Sequence, residues 1–261
     1  EGQKTRAKIN DVRELISGFL ECNTENIVFT SSGTESCNYV INTALYTEEI
    51  ENIVYLPTEH SAVLDTISSK SVNRISCKMD DYGKIDLIDL DSTLASLKGK
   101  TLVCVMLVNN ETGLIQPILD ISSVCEKHGA LLFSDMIQAI GKLNIAEYIK
   151  VCDYATFAAH KIGGLQGTGL AYLKDQTKVY KDLFGGEQEF GRRAGTENVT
   201  GIIAFGTAME ACIGSSAHES ECIALLHERL IGGIKGISKE IIIPAINSHK
   251  ENSITTLIFP G

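Results

Sequence analysis

The sequence predicts an α/β protein: a mostly parallel central sheet with helices on both faces, followed by part of a smaller α+β domain. Three observations predict it. Strand-like and helix-period segments alternate over about 170 residues, the pattern of a parallel sheet wound with helices. The run 101–108 is almost wholly apolar, as a strand covered on both faces must be. No internal repeat, low-complexity tract or linker-like stretch interrupts the alternation.

The elements follow in order. Val12, Leu15, Ile16, Phe19 and Leu20 recur at helical spacing, so residues 4–20 read as an amphipathic helix. Ile27-Val28-Phe29-Thr30 is a β-branched strand, and the capping-rich turn Ser31-Ser32-Gly33-Thr34-Glu35-Ser36 leads to a helix over 39–46. A strand at 53–56, a helix at 61–68 and a strand at 74–79 come next, then the strand at 101–108. A helix over 120–128 feeds a strand at 130–134, and further strands are expected near 154–158 and 168–173. The pattern is helical over 196–212 and again over 219–230, with strand-like runs at 240–243 and 253–259. We divide the chain into a large domain, 1–213, and the beginning of a small one, 214–261. The chain opens inside a helix pattern and closes directly after a strand-like run, so both ends read as cut from something longer.

Composition narrows the function. Of 261 residues, 44% are hydrophobic and 21% charged, which excludes disordered and fibrous classes. A net charge of -10 disfavours nucleic acid or an anionic membrane as the main partner, though not a local phosphate pocket. No uncharged run approaches the roughly 18 residues of a spanning helix, so a soluble protein with no membrane partner is expected. Eight cysteines (22, 37, 77, 104, 125, 152, 212 and 222) are scattered singly, several in apolar stretches. That is the usage of buried, reduced thiols rather than a disulfide framework or zinc site, and we expect no metal.

In an open parallel sheet, ligands bind beyond the carboxyl ends of the strands. Four such ends are polar. Ser32-Gly33-Thr34 opens a helix with backbone N–H groups and hydroxyls suited to a phosphate, although an ordinary capped helix reads the same. Gly167-Thr168-Gly169 precedes a strand, so no dinucleotide fingerprint is supported, and no P-loop is present. Asn109-Asn110-Glu111-Thr112-Gly113 follows the 101–108 run, where a side-chain-bonded turn is as good an explanation as a ligand site. Asp135, with Gln138 three residues on, ends a deep strand and needs a cation or protonated nitrogen beside it. Ala159-His160-Lys161-Ile162-Gly163-Gly164 ends the next strand, where apolar neighbours would desolvate Lys161 and loosen its proton. An anion cradle, a carboxylate and a lysine at one sheet edge are the parts a pyridoxal phosphate enzyme needs.

The motifs Phe29-Thr30-Ser31-Ser32-Gly33-Thr34-Glu35-Ser36, Glu59-His60-Ser61-Ala62-Val63-Leu64, Val108-Asn109-Asn110-Glu111-Thr112-Gly113, Asp135-Met136-Ile137-Gln138, Ala159-His160-Lys161 and Arg193-Ala194-Gly195-Thr196 occur in the order and approximate spacing of the cysteine desulfurase family. The chain resembles that family, in the class V branch of fold-type-I pyridoxal phosphate enzymes, over essentially its whole length. The resemblance implies a homodimer that takes L-cysteine to L-alanine and passes the sulfur, as an enzyme persulfide, to an acceptor such as an iron–sulfur scaffold protein. It implies that Lys161 carries the cofactor aldehyde and later moves the α-proton, and that Asp135 pairs with the pyridine nitrogen. Gln138 would donate to the ring hydroxyl, His60 would stack on the ring and assist proton transfer, and Asn110 would sit near substrate. Gly33, Thr34 and His160 would bind the phosphate, and Thr196 would reach the phosphate of the neighbouring subunit. A cytoplasmic or organelle-matrix location is expected.

Three departures from the family pattern stand out. Ala158 replaces a serine, removing one phosphate hydroxyl worth about 1–3 kcal/mol if nothing substitutes for it. Gly164-Leu165-Gln166-Gly167 replaces Gly-Pro-Lys-Gly, losing a positive charge. The family's persulfide cysteine and a carboxylate-binding arginine are expected beyond residue 261; Cys37 is a tempting substitute, but helix packing is the plainer reading. Arg193 is read as a support of the phosphate region or a structural ion pair. Alternative readings are another class V reaction (selenocysteine lysis or aminotransfer) and a non-catalytic paralogue acting as a binding module.

Overall fold

The computed structural model describes residues 2–260, and the side chains of all of these except 215–218. Seven strands form one sheet: β1 (Ile27–Thr30), β2 (Asn52–Tyr55), β3 (Asn73–Ser76), β4 (Thr101–Cys104), β5 (Leu131–Asp135), β6 (Tyr154–Ala158) and β7 (Gly169–Leu173). Their order is β1-β7-β6-β5-β4-β2-β3, and β7 alone runs against the rest, pairing antiparallel with both β1 and β6. The expected mostly parallel sheet is therefore found.

Side chains alternate across the strands and build two cores. On one face Ile27, Phe29, Val54, Val103, Leu132, Phe157 and Leu170 pack with α1 (Gly2–Leu20), α5 (Ile118–His128), α6 (Ala146–Val151) and the start of α7 (Val199–Ile237). On the other, Val28, Ile53, Leu102, Phe133 and Ala171 pack beneath α2 (Gly33–Thr47) and α3 (Ser61–Ser68). The period of two in each strand is what sends alternate residues to opposite cores.

Four expectations are corrected. The 101–108 run is a ladder strand only to Cys104. Beyond it, Val105 and Leu107 still donate to Phe133 and Asp135 in β5, but on the β2 side the Met106 N–H goes to Glu59 Oε1 at 2.7 Å. A carboxylate stands there in place of a strand. Helix α4 (Leu87–Ser96) was not anticipated, because its acidic and hydroxyl residues mask the buried Leu90 and Leu94; Asp86 caps it through the Ile88 and Asp89 N–H groups. The two helical segments at 196–212 and 219–230 belong to one element, α7, whose halves Val199–Gly214 and Glu219–Ile237 meet at 77°. The 213/214 division lies at the end of the first half, beside that bend. The runs at 240–243 and 253–259 meet only in a single antiparallel bridge, Ile242 with Ile258, beside a small cluster of Ile231, Ile234 and Ile243.

Candidate active site

A cavity of about 320 Å³ opens at the carboxyl ends of the strands. Gly33, Thr34, His60, Asn110, Asp135, Gln138, His160 and Lys161 all line it, together with Ser32, Ala62, Met106, Val108 and Ile137. Of the residues expected to act in catalysis or hold the cofactor, Thr196 does not line it: it is exposed on the segment leading to α7.

The phosphate-like end is built by the β1–α2 turn. Ser32 caps α2 by accepting the Glu35 N–H at 3.1 Å, so the helix begins at Gly33 with its first amides uncommitted to the helix. A Cβ at Gly33 would stand 2.4 Å from the terminal methyl of Ile137, another lining residue. Gly169 was not anticipated. A Cβ there would lie 2.4 Å from the Ser32 carbonyl, which is backbone and cannot step aside, so only glycine lets β7 lie under the turn. Arg193 is resolved as an ion pair: Nε donates to Glu35 Oε1 at 2.7 Å and Nη2 to Oε2 at 3.1 Å. Burial opposes ionisation of Glu35, but hydrogen bonds from Arg193 and Ser31 outweigh it and hold its carboxyl below the ordinary range. Arg193 therefore acts at one remove, by fixing the first turn of α2.

At the floor lies Asp135, 5% exposed. Its Oδ1 accepts the Ile137 N–H at 2.9 Å, while Oδ2 meets the Cys37 thiol at a distant 3.9 Å; that thiol is 3.6 Å from the Thr156 hydroxyl. Among the described residues no lysine or arginine forms an ion pair with Asp135. Burial pushes its pKa up; the Ile137 amide, His60 and Thr156 oppose the rise without reversing it. Glu59, also unanticipated as a site component, lies nearby with Oε2 buried and unpartnered, and burial raises its carboxyl well above the usual range. Cys37 is fully buried and its thiol is pushed up, so the helix-packing reading of it holds.

The rim carries the nitrogens. His60 caps α3: its Nδ1 accepts the Ala62 N–H at 3.0 Å, which leaves Nε2 as the protonated nitrogen of the neutral ring. A 3-10 turn, Ala159–Ile162, follows β6 and presents His160 and Lys161. Burial and the Lys161 charge lower the pKa of His160. Lys161 itself is exposed, not desolvated as its neighbours suggest, because Gly163 and Gly164 bring no side chains to cover it. In the Asn pair the roles divide. Asn109 is the turn residue, its Oδ1 accepting the Glu111 and Thr112 N–H groups, whereas Asn110 faces the cavity. Ala158 is buried beneath Gly33, so the missing hydroxyl is not replaced at its own position.

Buried and half-buried cysteines are disfavoured as thiolates by their surroundings. Burial pushes the thiols of Cys22, Cys77 and Cys125 to about 12, and no cysteine lines the cavity among the described residues.

Comparison with known proteins agrees with this geometry. The family model described as Aminotransferase class-V matches residues 1–261. A cysteine desulfurase IscS of Clostridium botulinum is 32% identical over 255 residues, covering 96% of this chain and 63% of that protein. The chain thus spans less than two thirds of that relative's length. A solved NifS-like protein superposes with a TM-score of 0.92 at 30% identity, over 99% of this chain and 72% of that one. A structure described as SspA in complex with cysteine superposes at 0.78 with 25% identity, over 99% and 73%. A family model matched over every residue, a close superposition on a NifS-like protein and strand-end residues converging on one cavity lead to one assignment: the chain belongs to the class-V aminotransferase family.

Proposed function

We propose that the cavity holds pyridoxal 5′-phosphate and that the protein is a cysteine desulfurase, the sulfur of L-cysteine passing to a protein thiol and L-alanine being released. The reaction balances as one C–S bond broken and one S–S bond formed, giving a persulfide and alanine. One observation carries the reading: Asp135, as buried as a core residue, has no lysine or arginine ion-pair partner among the described residues and lies on the floor of a cavity whose rim holds a lysine and a helix N-terminus. The residues fit the cofactor. A protonated pyridine nitrogen is the cation Asp135 lacks, the opening of α2 and His160 suit a phosphate dianion, and the Lys161 amine suits an aldehyde.

When bound, the cofactor supplies an electron-withdrawing ring that stabilises negative charge at the substrate α-carbon. The chain does the rest. Asp135 would keep a proton on the ring nitrogen. Gly33, Thr34 and His160 would grip the phosphate. Lys161 would hold the aldehyde and, with its amine free, would move the α-proton. His60 would offer Nε2 for proton transfer, its Nδ1 being committed to α3. Asn110 and Gln138 would orient the ring hydroxyl and substrate. None of these steps supplies a sulfur-accepting thiolate, and the buried cysteines do not either, so a thiol outside the described cavity residues takes that part. Exposure of Thr196 supports a homodimer in which it reaches the phosphate of a second copy. An iron–sulfur scaffold is the proposed final acceptor and the cytoplasm or an organelle matrix the proposed location.

The visible spectrum is the test. The purified protein should bind pyridoxal phosphate as a yellow species that shifts on adding cysteine, and Lys161→Ala should lose the lysine-linked band. A protein that stays colourless would mark a binding module instead.

A further inference from the structure

The turn after β5 carries a second lysine that no motif draws attention to. Lys142 is half-buried, and its Nζ donates to Gln138 Oε1 at 3.2 Å. The turn is closed by Ala139 and Ile140 N–H groups donating to Met136 and by Lys142 N–H donating to Ala139. Gly141 adopts φ +73°, and a Cβ there would stand 2.7 Å from Ile162 and 2.9 Å from the Cys212 thiol. The turn is therefore packed between the 3-10 segment that bears Lys161 and α7, which fixes the backbone that carries Lys142 beside Gln138. Burial lowers its proton affinity, Glu251 raises it and Lys161 lowers it again.

An ammonium group has donors and no acceptor, so the atom of Gln138 that faces it has to be the carbonyl oxygen. The amide N–H groups are then what Gln138 offers to the cavity it lines, where the described residues give them no acceptor. We propose that Lys142 is a positioning residue, fixing the Gln138 carboxamide so that it presents N–H rather than C=O to an anionic ring oxygen of the aromatic aldehyde bound there. This rests on the cofactor reading above. A glutamine not held in this way is free to turn over and set oxygen against oxygen, which trades an attraction for a repulsion.

The test reads the cofactor's own proton. A donor on the ring oxygen weakens the hold on the proton shared between that oxygen and the lysine-linked nitrogen. In the cofactor-loaded protein, with His60, His160, Asp135 and Glu251 unchanged, Lys142→Met should raise the pH midpoint of the visible band by about one unit, a tenfold change in proton affinity. Lys142→Arg, also donor-only, should restore the midpoint. Lys142→Gln, whose own amide lifts the donor-only constraint, should raise it as Met does and serves if the Met variant does not fold. In a Gln138→Leu background Lys142→Met should add nothing, because the path through the amide is already cut. An unchanged midpoint, or an equal shift in both backgrounds, overturns the proposal. If wild type and variants alike take up no cofactor, the cofactor reading itself fails and the proposal with it.

Discussion

Two acids in this chain are equally buried and differently provided for. Glu189 is 4% exposed and Asp135 5%. Glu189 takes Arg13 Nη2 at 2.7 Å on one oxygen and the Phe29 N–H at 2.9 Å on the other, while the Arg13 guanidinium stacks 4.8 Å from the Phe29 ring. The arrangement is strong enough to hold Glu189 and Phe190 at φ 50° and 59°, a left-handed pair that costs roughly 1–2 kcal/mol per residue. Asp135 has one amide, a remote thiol and weaker help from His60 and the Thr156 hydroxyl, but no ion pair to lysine or arginine among the described residues. Among the described residues the chain supplies an ion-pair partner for the first acid and none for the second, whose cation, on the proposed function, comes with a ligand. Burial of an acid is thus no guide to its role; the origin of its cation is.

The largest effect should come from Asp135→Asn, which keeps an acceptor for the Ile137 N–H but removes the charge. Desulfuration, followed as alanine release, should fall on the order of 10³–10⁴-fold, while the melting temperature of the cofactor-free protein holds or rises. A large drop in melting temperature would make Asp135 a structural acid like Glu189. The reverse pattern belongs to Glu189→Ala. Stranding Arg13 should cost about 3–5 kcal/mol, a fall of about 10 °C by calorimetry, with little change in turnover per folded molecule.

Glu59 is the intermediate case, with one oxygen satisfied by Met106 and the other by nothing. Its folded-state pKa is raised, so above the unfolded value of about 4.3 the folded protein holds a proton that the unfolded chain has lost. Its stabilising contribution is full below that pH and declines as pH rises through the folded pKa. Glu59→Gln should therefore flatten the fall in melting temperature with rising pH relative to wild type; parallel curves would show that Glu59 is ionised in the fold. Smallest is Arg193→Lys. Losing one arm of a half-buried bidentate pair with Glu35 should cost about 1 kcal/mol or less and weaken phosphate grip only a few-fold, measured by cofactor titration.

The contrast between these acids also explains what the sequence could show. Asp135 ends a strand, and the Gly33 turn, Lys161 and His60 lie three to five residues beyond one, so strand recognition and polar residues near strand ends were enough to gather them into one site. Glu59 bonds a partner 47 residues away, which depends on how loops fold back, and Lys142 reaches Gln138 four residues before it only because the segment between them closes as a turn that no apolar period announces. Gly169 is required by the Ser32 carbonyl across the β1–β7 pairing, a neighbour distant in sequence. Helix α4 was hidden by polar composition, and α7 by the sharp angle that splits its apolar pattern in two.

The role of Asp135 depends on where it finds its cation, and nitrogen-15 NMR of protein loaded with ring-labelled pyridoxal phosphate measures that directly. The ring nitrogen should carry its proton at pH 8 in the wild type and lose it in Asp135→Asn. An unprotonated ring nitrogen in the wild type would contradict the central claim.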